Sequence, residues 1–143
     1  MTTSPPPLYH PMVDKNGVVT MPWVLFFGGL QGGDQGTDWT PAFTSLAVTG
    51  TPILTGTYFR LSNLLVYFTA TVTPATNTSC TAGSTYINNF PLIVAQDSAV
   101  VAVSGVLGSN EVGIAQANSG RIYPPTWTNE TTPVIISGLI RAQ

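Results

Sequence analysis

The sequence contains very few charged side chains. Lys and Arg together number 4 and Asp and Glu 6 among 143 residues, so charged residues make up 7% of the chain, against roughly 25% in an average soluble domain. With a formal net charge of -2, the chain has no basic patch that could follow a phosphate backbone. We therefore expect no nucleic-acid partner. With so few charges, electrostatic repulsion between copies of the chain is weak, which favours a protein that works in an assembly. A monomeric secreted β-domain is the alternative.

Imidazole and thiol groups are equally scarce. The single histidine, His10, lies in a proline-rich segment without a second histidine, a cysteine or a cluster of carboxylates beside it. Neither a hydrolytic triad nor a metal site can be built around it. The single cysteine, Cys80, has no partner for an internal disulfide, and we expect an idle thiol next to a turn. We predict no catalytic residue, no metal and no cofactor.

A pair of carboxylates of the kind that glycosidases use is the remaining catalytic option. Asp97, Glu111 and Glu130 all lie in the C-terminal part of the chain, but each sits in a segment typical of a turn, where acidic side chains cap the backbone and contact solvent. A polysaccharide-degrading enzyme therefore ranks below a non-enzymatic protein.

Long apolar runs are absent as well. The most apolar run, Val18 to Leu30, is too short to span a bilayer and is interrupted by Pro22. The N-terminus lacks the basic start and apolar centre of a signal peptide. We expect neither a membrane partner nor export.

Composition changes near residue 40, and we interpret residues 1–38 as an N-terminal attachment arm. Its first dozen residues are rich in proline and should be extended. After a turn signal, Pro22 can open a short helix, and a glycine-rich hinge follows. The predicted attachment and assembly residues, which include the helical i, i+3, i+4, i+7 stripe, are Pro11, Met12, Val18, Trp23, Phe26, Phe27 and Leu30. Packing of this stripe on the chain's own core is the alternative.

Residues 39–143 have the pattern of an all-β domain. Short segments rich in Thr, Val and aromatic residues are separated by turn residues, which is typical of an antiparallel β-sandwich of jelly-roll type. Alternation is clearest in two segments, and it places Leu64, Val66, Phe68, Ala70 and Val72 on one face, and Val134, Ile136 and Ile140 on another. Ser62 and Asn63 should link two strands of a hairpin.

Three segments resemble the small β-sandwich modules of appendage and fibre proteins of tailed bacteriophages. Asp38 to Phe43 is similar to their G-x-W-T-P-x-F motif, and Gly56 to Phe68 to their G-x-Y-x-R-x-G-N-x-V-x-F motif. Asp14 to Phe27 also looks like the arm that precedes such modules. One departure is Ser62, which stands where the family has glycine and leaves the geometry of that turn open.

The resemblance implies a structural protein of the virion that forms homotrimers and contacts other phage proteins of the capsid, portal, neck or tail. Our first hypothesis is a fibre-like or collar-like appendage docked through its arm, with a host glycan as a candidate ligand. A capsid decoration or cement protein is the alternative. For glycan stacking we single out four aromatic residues, for which core or subunit-interface packing is the commoner role: Tyr58, Tyr67, Tyr123 and Trp127.

Overall fold

The structure is a computed structural model that describes Pro11, Lys15, Thr20 and residues 36–104 and 112–143. The chain divides into two compact units, Met1–Gln35 and Gly36–Gln143. Only the second is described nearly throughout, so the predicted division into residues 1–38 and 39–143 stays a prediction, and the predicted helix lies outside the described residues. Among the residues described, no helix has the length and apolar character needed to cross a bilayer.

Every regular element in the described ranges is a β-strand. The strands are β1 Thr37–Trp39, β2 Phe43–Thr44, β3 Ala47–Thr49, β4 Ile53–Arg60, β5 Leu65–Thr73, β6 Asn77–Cys80, β7 Tyr86–Ile87, β8 Ser98–Val103, β9 Val112–Ala115, β10 Ile122–Tyr123, β11 Trp127–Glu130 and β12 Val134–Arg141. The prediction of an all-β domain is confirmed.

The strands form two antiparallel sheets. A nine-stranded sheet has the order β1-β4-β5-β12-β8-β9-β10-β7-β2, and a three-stranded sheet has the order β11-β6-β3. Buried side chains of both sheets belong to a single hydrophobic cluster that includes Phe68 and Ile136 from the large sheet and Cys80 and Trp127 from the small one. The architecture is therefore sandwich-like, with one core between two sheets.

The central strands confirm the predicted alternation. Val66, Phe68, Ala70 and Val72 of β5 are all 0% exposed, as are Val134, Ile136 and Ile140 of β12. Leu64 does not share this face, since it precedes β5 and is 48% exposed. Strands β5 and β12 pair over their whole length, from Val134 opposite Val72 to Arg141 opposite Leu65.

The predicted hairpin joins β4 to β5, and backbone N–H groups of Leu61 and Ser62 donate to the Leu65 carbonyl oxygen in its turn. The side chain of Ser62 also caps this turn. Its hydroxyl oxygen accepts hydrogen bonds from the backbone N–H of Leu64 at 3.3 Å and of Leu65 at 3.0 Å. A side-chain cap of this kind holds a turn without the backbone freedom of glycine. This contact shows how the turn, whose geometry the sequence left open, is held with serine at position 62.

A sequence-based prediction of a turn was wrong. Asn129 and Glu130 were expected in a turn, but they belong to β11, where the pairing with β6 shifts register after Trp127. Asn129 has a positive φ of 51°, so a local turn signal here marks an irregularity within a strand. Cys80 was expected beside a turn, and it ends β6 directly before the turn of residues 81–85, 1% exposed.

Candidate binding surfaces

Most of the predicted attachment residues lie outside the described part of the chain. Pro11 is the exception: it is exposed, and its carbonyl oxygen accepts a hydrogen bond from the Thr20 hydroxyl at 2.7 Å. The assembly role remains a prediction for Pro11 and for the six residues outside the described part, Met12, Val18, Trp23, Phe26, Phe27 and Leu30.

The four predicted recognition aromatics lie in separate places. Trp127 is 2% exposed, and its indole N–H donates to the Thr78 hydroxyl at 3.2 Å. Because its ring is enclosed in the core, it offers no face to a sugar, and packing is its role. Tyr58 is half-buried and packs edge-on against Phe90, with ring centroids 6.2 Å apart.

Tyr67 lies on the opposite side of the large sheet from Tyr58. Its side chain is 39% exposed and stacks on Phe59, with centroids 6.4 Å apart and the planes 29° apart. On the same side of the sheet, Leu139 lies opposite Tyr67, and Thr57 and Thr69 lie two residues along from the stacked pair. With Leu139 directly opposite, this setting suits apolar contact better than recognition of a sugar.

Tyr123 lines a shallow cleft of about 300 Å³, together with Asp97, Gln116, Val112 and Ile114. The cleft lies beside a second aromatic ring, Tyr86, whose centroid is 5.1 Å from that of Tyr123. One Asp97 carboxylate oxygen accepts the backbone N–H of Ala117 at 2.7 Å, which fixes its position. An aromatic ring with a carboxylate and an amide nearby has the chemistry of a carbohydrate subsite.

A second cleft, of about 350 Å³, lies at the β1 edge of the large sheet and is lined by Asp38, Trp39 and Gly56 among others. Trp39 packs edge-on against Phe90, with centroids 5.4 Å apart. A Cβ atom on Gly56 would approach the Trp39 Nε1 atom to 2.5 Å, so the absence of a side chain at Gly56 lets the indole lie flat on β4. The Trp39 Nε1–H group is buried without a hydrogen-bond acceptor.

Many of the exposed large hydrophobic residues in the described ranges lie on the side of the nine-stranded sheet that points away from the core. Its central strands expose aliphatic and aromatic side chains between 37% and 59%. We call this surface the outer apolar face, and it consists of Leu65, Tyr67, Val101, Val103, Val112, Ile114, Ile135 and Leu139. Register places these residues on one side, because Val101 pairs with both Ser137 and Val112, and Ile135 with Val103.

Charge is nearly absent from this face. The outward positions of β4 and β5 beside it carry hydroxyl groups, as the register of Thr55 with Thr71 and of Thr57 with Thr69 shows. Among the outward positions of β5, β8, β9 and β12 in the described residues, only Arg141, at the end of β12, carries a charge. The outer apolar face therefore resembles the centre of a protein interface, with a hydroxyl-rich border on one side.

Reactive groups in the described residues are held in ordinary structural settings. Burial raises the pKa of the Cys80 thiol to about 12, which keeps it protonated. A hydrogen bond from the Thr132 hydroxyl, with others including one from Ser104, holds the pKa of Glu130 below its usual value. A general acid needs the opposite shift. No group of His, Cys, Asp or Glu side chains suited to a metal ion occurs among the residues described.

Comparison with known proteins yields no match to a protein-family model, a curated protein or a solved structure.

Proposed function

We propose that the chain is a non-enzymatic structural protein of a tailed bacteriophage virion. It is a small fibre-like or collar-like appendage that docks on the head, neck or tail through residues 1–38, while residues 39–143 form the projecting body. The resemblance of Asp38–Phe43 and Gly56–Phe68 to appendage modules motivates this assignment.

The residues of that resemblance have architectural positions. Trp39 lies on Gly56 and packs against Phe90, and Phe68 approaches the same Phe90 ring with centroids 5.2 Å apart. Trp39 of β1, Gly56 of β4 and Phe68 of β5 thus bring three strands together around the buried side chain of Phe90. Side chains that shape a fold in this way suit a body that is built into a particle.

The outer apolar face is the observation that carries the proposal. A monomer in solution rarely presents a contiguous apolar patch of this kind, because such a patch promotes association. Because only 7% of the residues are charged, electrostatic repulsion between copies of the chain is also weak. Both properties suit a protein whose apolar surface is covered by neighbouring subunits in the assembled particle.

We further propose that the two sheets form a jelly-roll-like sandwich and that the assembled appendage is a homotrimer. A host glycan would contact the cleft at Tyr123 through Tyr123, Asp97 and Gln116, since Val112 and Ile114, which also line it, belong to the outer apolar face.

Deletion of residues 1–35 tests the attachment role of the arm. We expect the truncated chain to fold, with cooperative thermal melting by circular dichroism, and to be missing from purified particles. The matched control is the full-length chain expressed from the same plasmid in the same infection. Normal incorporation of the truncated chain would refute the role of the arm.

Copy number separates the appendage from the decoration protein. We expect a dozen to a few dozen copies per particle by quantitative mass spectrometry against the major capsid protein. Hundreds of copies would instead identify a capsid cement protein.

A further inference from the structure

We infer that the outer apolar face is the surface through which copies of this chain bind one another. This inference rests on the proposed function, because it names the partner that covers the exposed sheet of the virion protein. The partner is a second copy of the same chain.

The pattern of two strands indicates that this sheet is covered on both sides. Strand β8 places Val100 inside and Val101 and Val103 outside, and β12 alternates Ile136 inside with Ile135 outside. A strand with one wet side alternates apolar and polar residues, whereas a strand covered on both sides has a nearly continuous apolar run. Strand β8 has the second pattern from Ala99 to Val103, and β12 has it from Val134 to Ile136, while Ser137 and Arg141 lie further along the outer side of β12.

The area of the face matches one side of a stable interface. From their exposed fractions, the eight residues that define the face present roughly 700 Å² of accessible surface, above the 300–600 Å² of the largest patch on a typical monomer. It approaches the roughly 800 Å² that each partner contributes to an interface of standard size.

The chemistry of the face favours an identical partner. Arg141 lies at the end of β12, so the middle of the face holds no charge for an oppositely charged ligand to pair with. The hydrogen-bonding groups near its centre are uncharged hydroxyl groups, those of Tyr67, Thr69, Thr71 and Ser137. A second copy brings an equally apolar surface and no charge opposite the centre, which suits contacts between copies around the proposed threefold axis.

Sedimentation of the purified full-length chain tests the inference. We expect the unaltered chain to self-associate, and Val101→Asp to raise the dissociation constant about 100-fold or more, because each copy would bury a carboxylate without a partner. The matched control is Val48→Asp on β3. Val48 is also a strand valine and is 45% exposed, against 44% for Val101, so this variant should associate like the unaltered chain.

A second variant distinguishes a loss of association at this face from a loss caused by misfolding. Val101→Thr with Ile114→Thr keeps β-branched side chains in β8 and β9 and adds no charge, so the sheet should form normally. We expect it to raise the dissociation constant about tenfold. Circular dichroism melting of each variant at a concentration where the unaltered chain is dissociated checks the fold.

Two results would overturn the inference. A full-length chain that is monomeric at all concentrations would mean that its own arm or another molecule covers the face. Association that survives both variants would place the contact between copies elsewhere. Neither result decides the proposed function, which is judged by incorporation into particles; a chain that associates through this face yet is absent from particles would refute that function alone.

Discussion

The two sides of the nine-stranded sheet are built from the same residue types but have opposite environments. In β12, Ile136 is 0% exposed while its neighbour Ile135 is 41% exposed, and in β8 Val100 is 0% and Val101 44% exposed. Hydrophobicity alone therefore does not decide which side forms the core. The inner side is fixed by the aromatic and aliphatic residues that face it from other elements, such as Phe90 and Trp127.

We expect the largest difference between the two sides, in the stability lost on substitution, at adjacent aromatic residues of β5. Phe68 is fully buried, and Phe68→Ala should lower the free energy of unfolding by about 3–5 kcal/mol, since it leaves a cavity against Phe90. Tyr67→Ala, on the outer side, should cost about 1 kcal/mol. Urea denaturation of the dissociated chain measures both values. Equal costs would show that the assignment of the two sides is wrong.

Adjacent isoleucines of β12 give the next comparison. Ile136→Thr puts a hydroxyl group among buried aliphatic side chains, and we expect a loss of about 2–3 kcal/mol. Ile135→Thr exposes the same group to solvent on a β-branched side chain and should change stability by less than about 0.5 kcal/mol. Denaturant midpoints of the two variants, measured side by side, provide the test, and a larger loss for Ile135→Thr would contradict it.

A third comparison concerns threonine. Thr78 is fully buried and accepts the indole N–H of Trp127, so Thr78→Val should lower stability by about 1–2 kcal/mol because that N–H loses its acceptor. Thr78→Ser keeps the hydroxyl group and is the control for the hydrogen bond. Thr71→Val, on the outer side of β5, should be neutral within about 0.5 kcal/mol. Thermal melting that does not change in Thr78→Val would show that the hydrogen bond contributes nothing.

The smallest effect is expected at Glu130, which ends β11. Because hydrogen bonds lower its pKa in the folded chain below the usual value of 4.5, the ionised form contributes stability above that value. This contribution is lost as the pH falls through the lower, folded-state pKa. We expect Glu130→Gln to flatten the dependence of the melting temperature on pH between neutral and acidic conditions. An identical slope in the variant would argue against the lowered pKa.

The sequence predicted the parts of the fold in which one side of a strand differs from the other. In β5, Thr69, Thr71 and Thr73 alternate with buried residues, and both the strand and its inner side followed from that pattern. Strand β6, Asn77–Cys80, and strand β11, Trp127–Glu130, were missed because their residues are typical of turns. They become strands through pairing with each other, which is not local information.

The candidate surfaces were harder to predict than the strands. Four aromatic residues were chosen by type, and the structure separates them into a core residue, Trp127, and three residues in different settings. The outer apolar face was not predicted, although its signal was present: the continuous apolar runs Ala99–Val103 and Val134–Ile136 leave no polar side. Pairing register is needed to see that these runs face the same way.

Quantitative mass spectrometry of purified particles tests the central claim most directly. If the chain is a structural component of the virion, it will be present at a fixed ratio to the major capsid protein and will remain after washing in high salt. Its absence from particles that carry their full set of other structural proteins, with the chain found free in the lysate, would contradict the account.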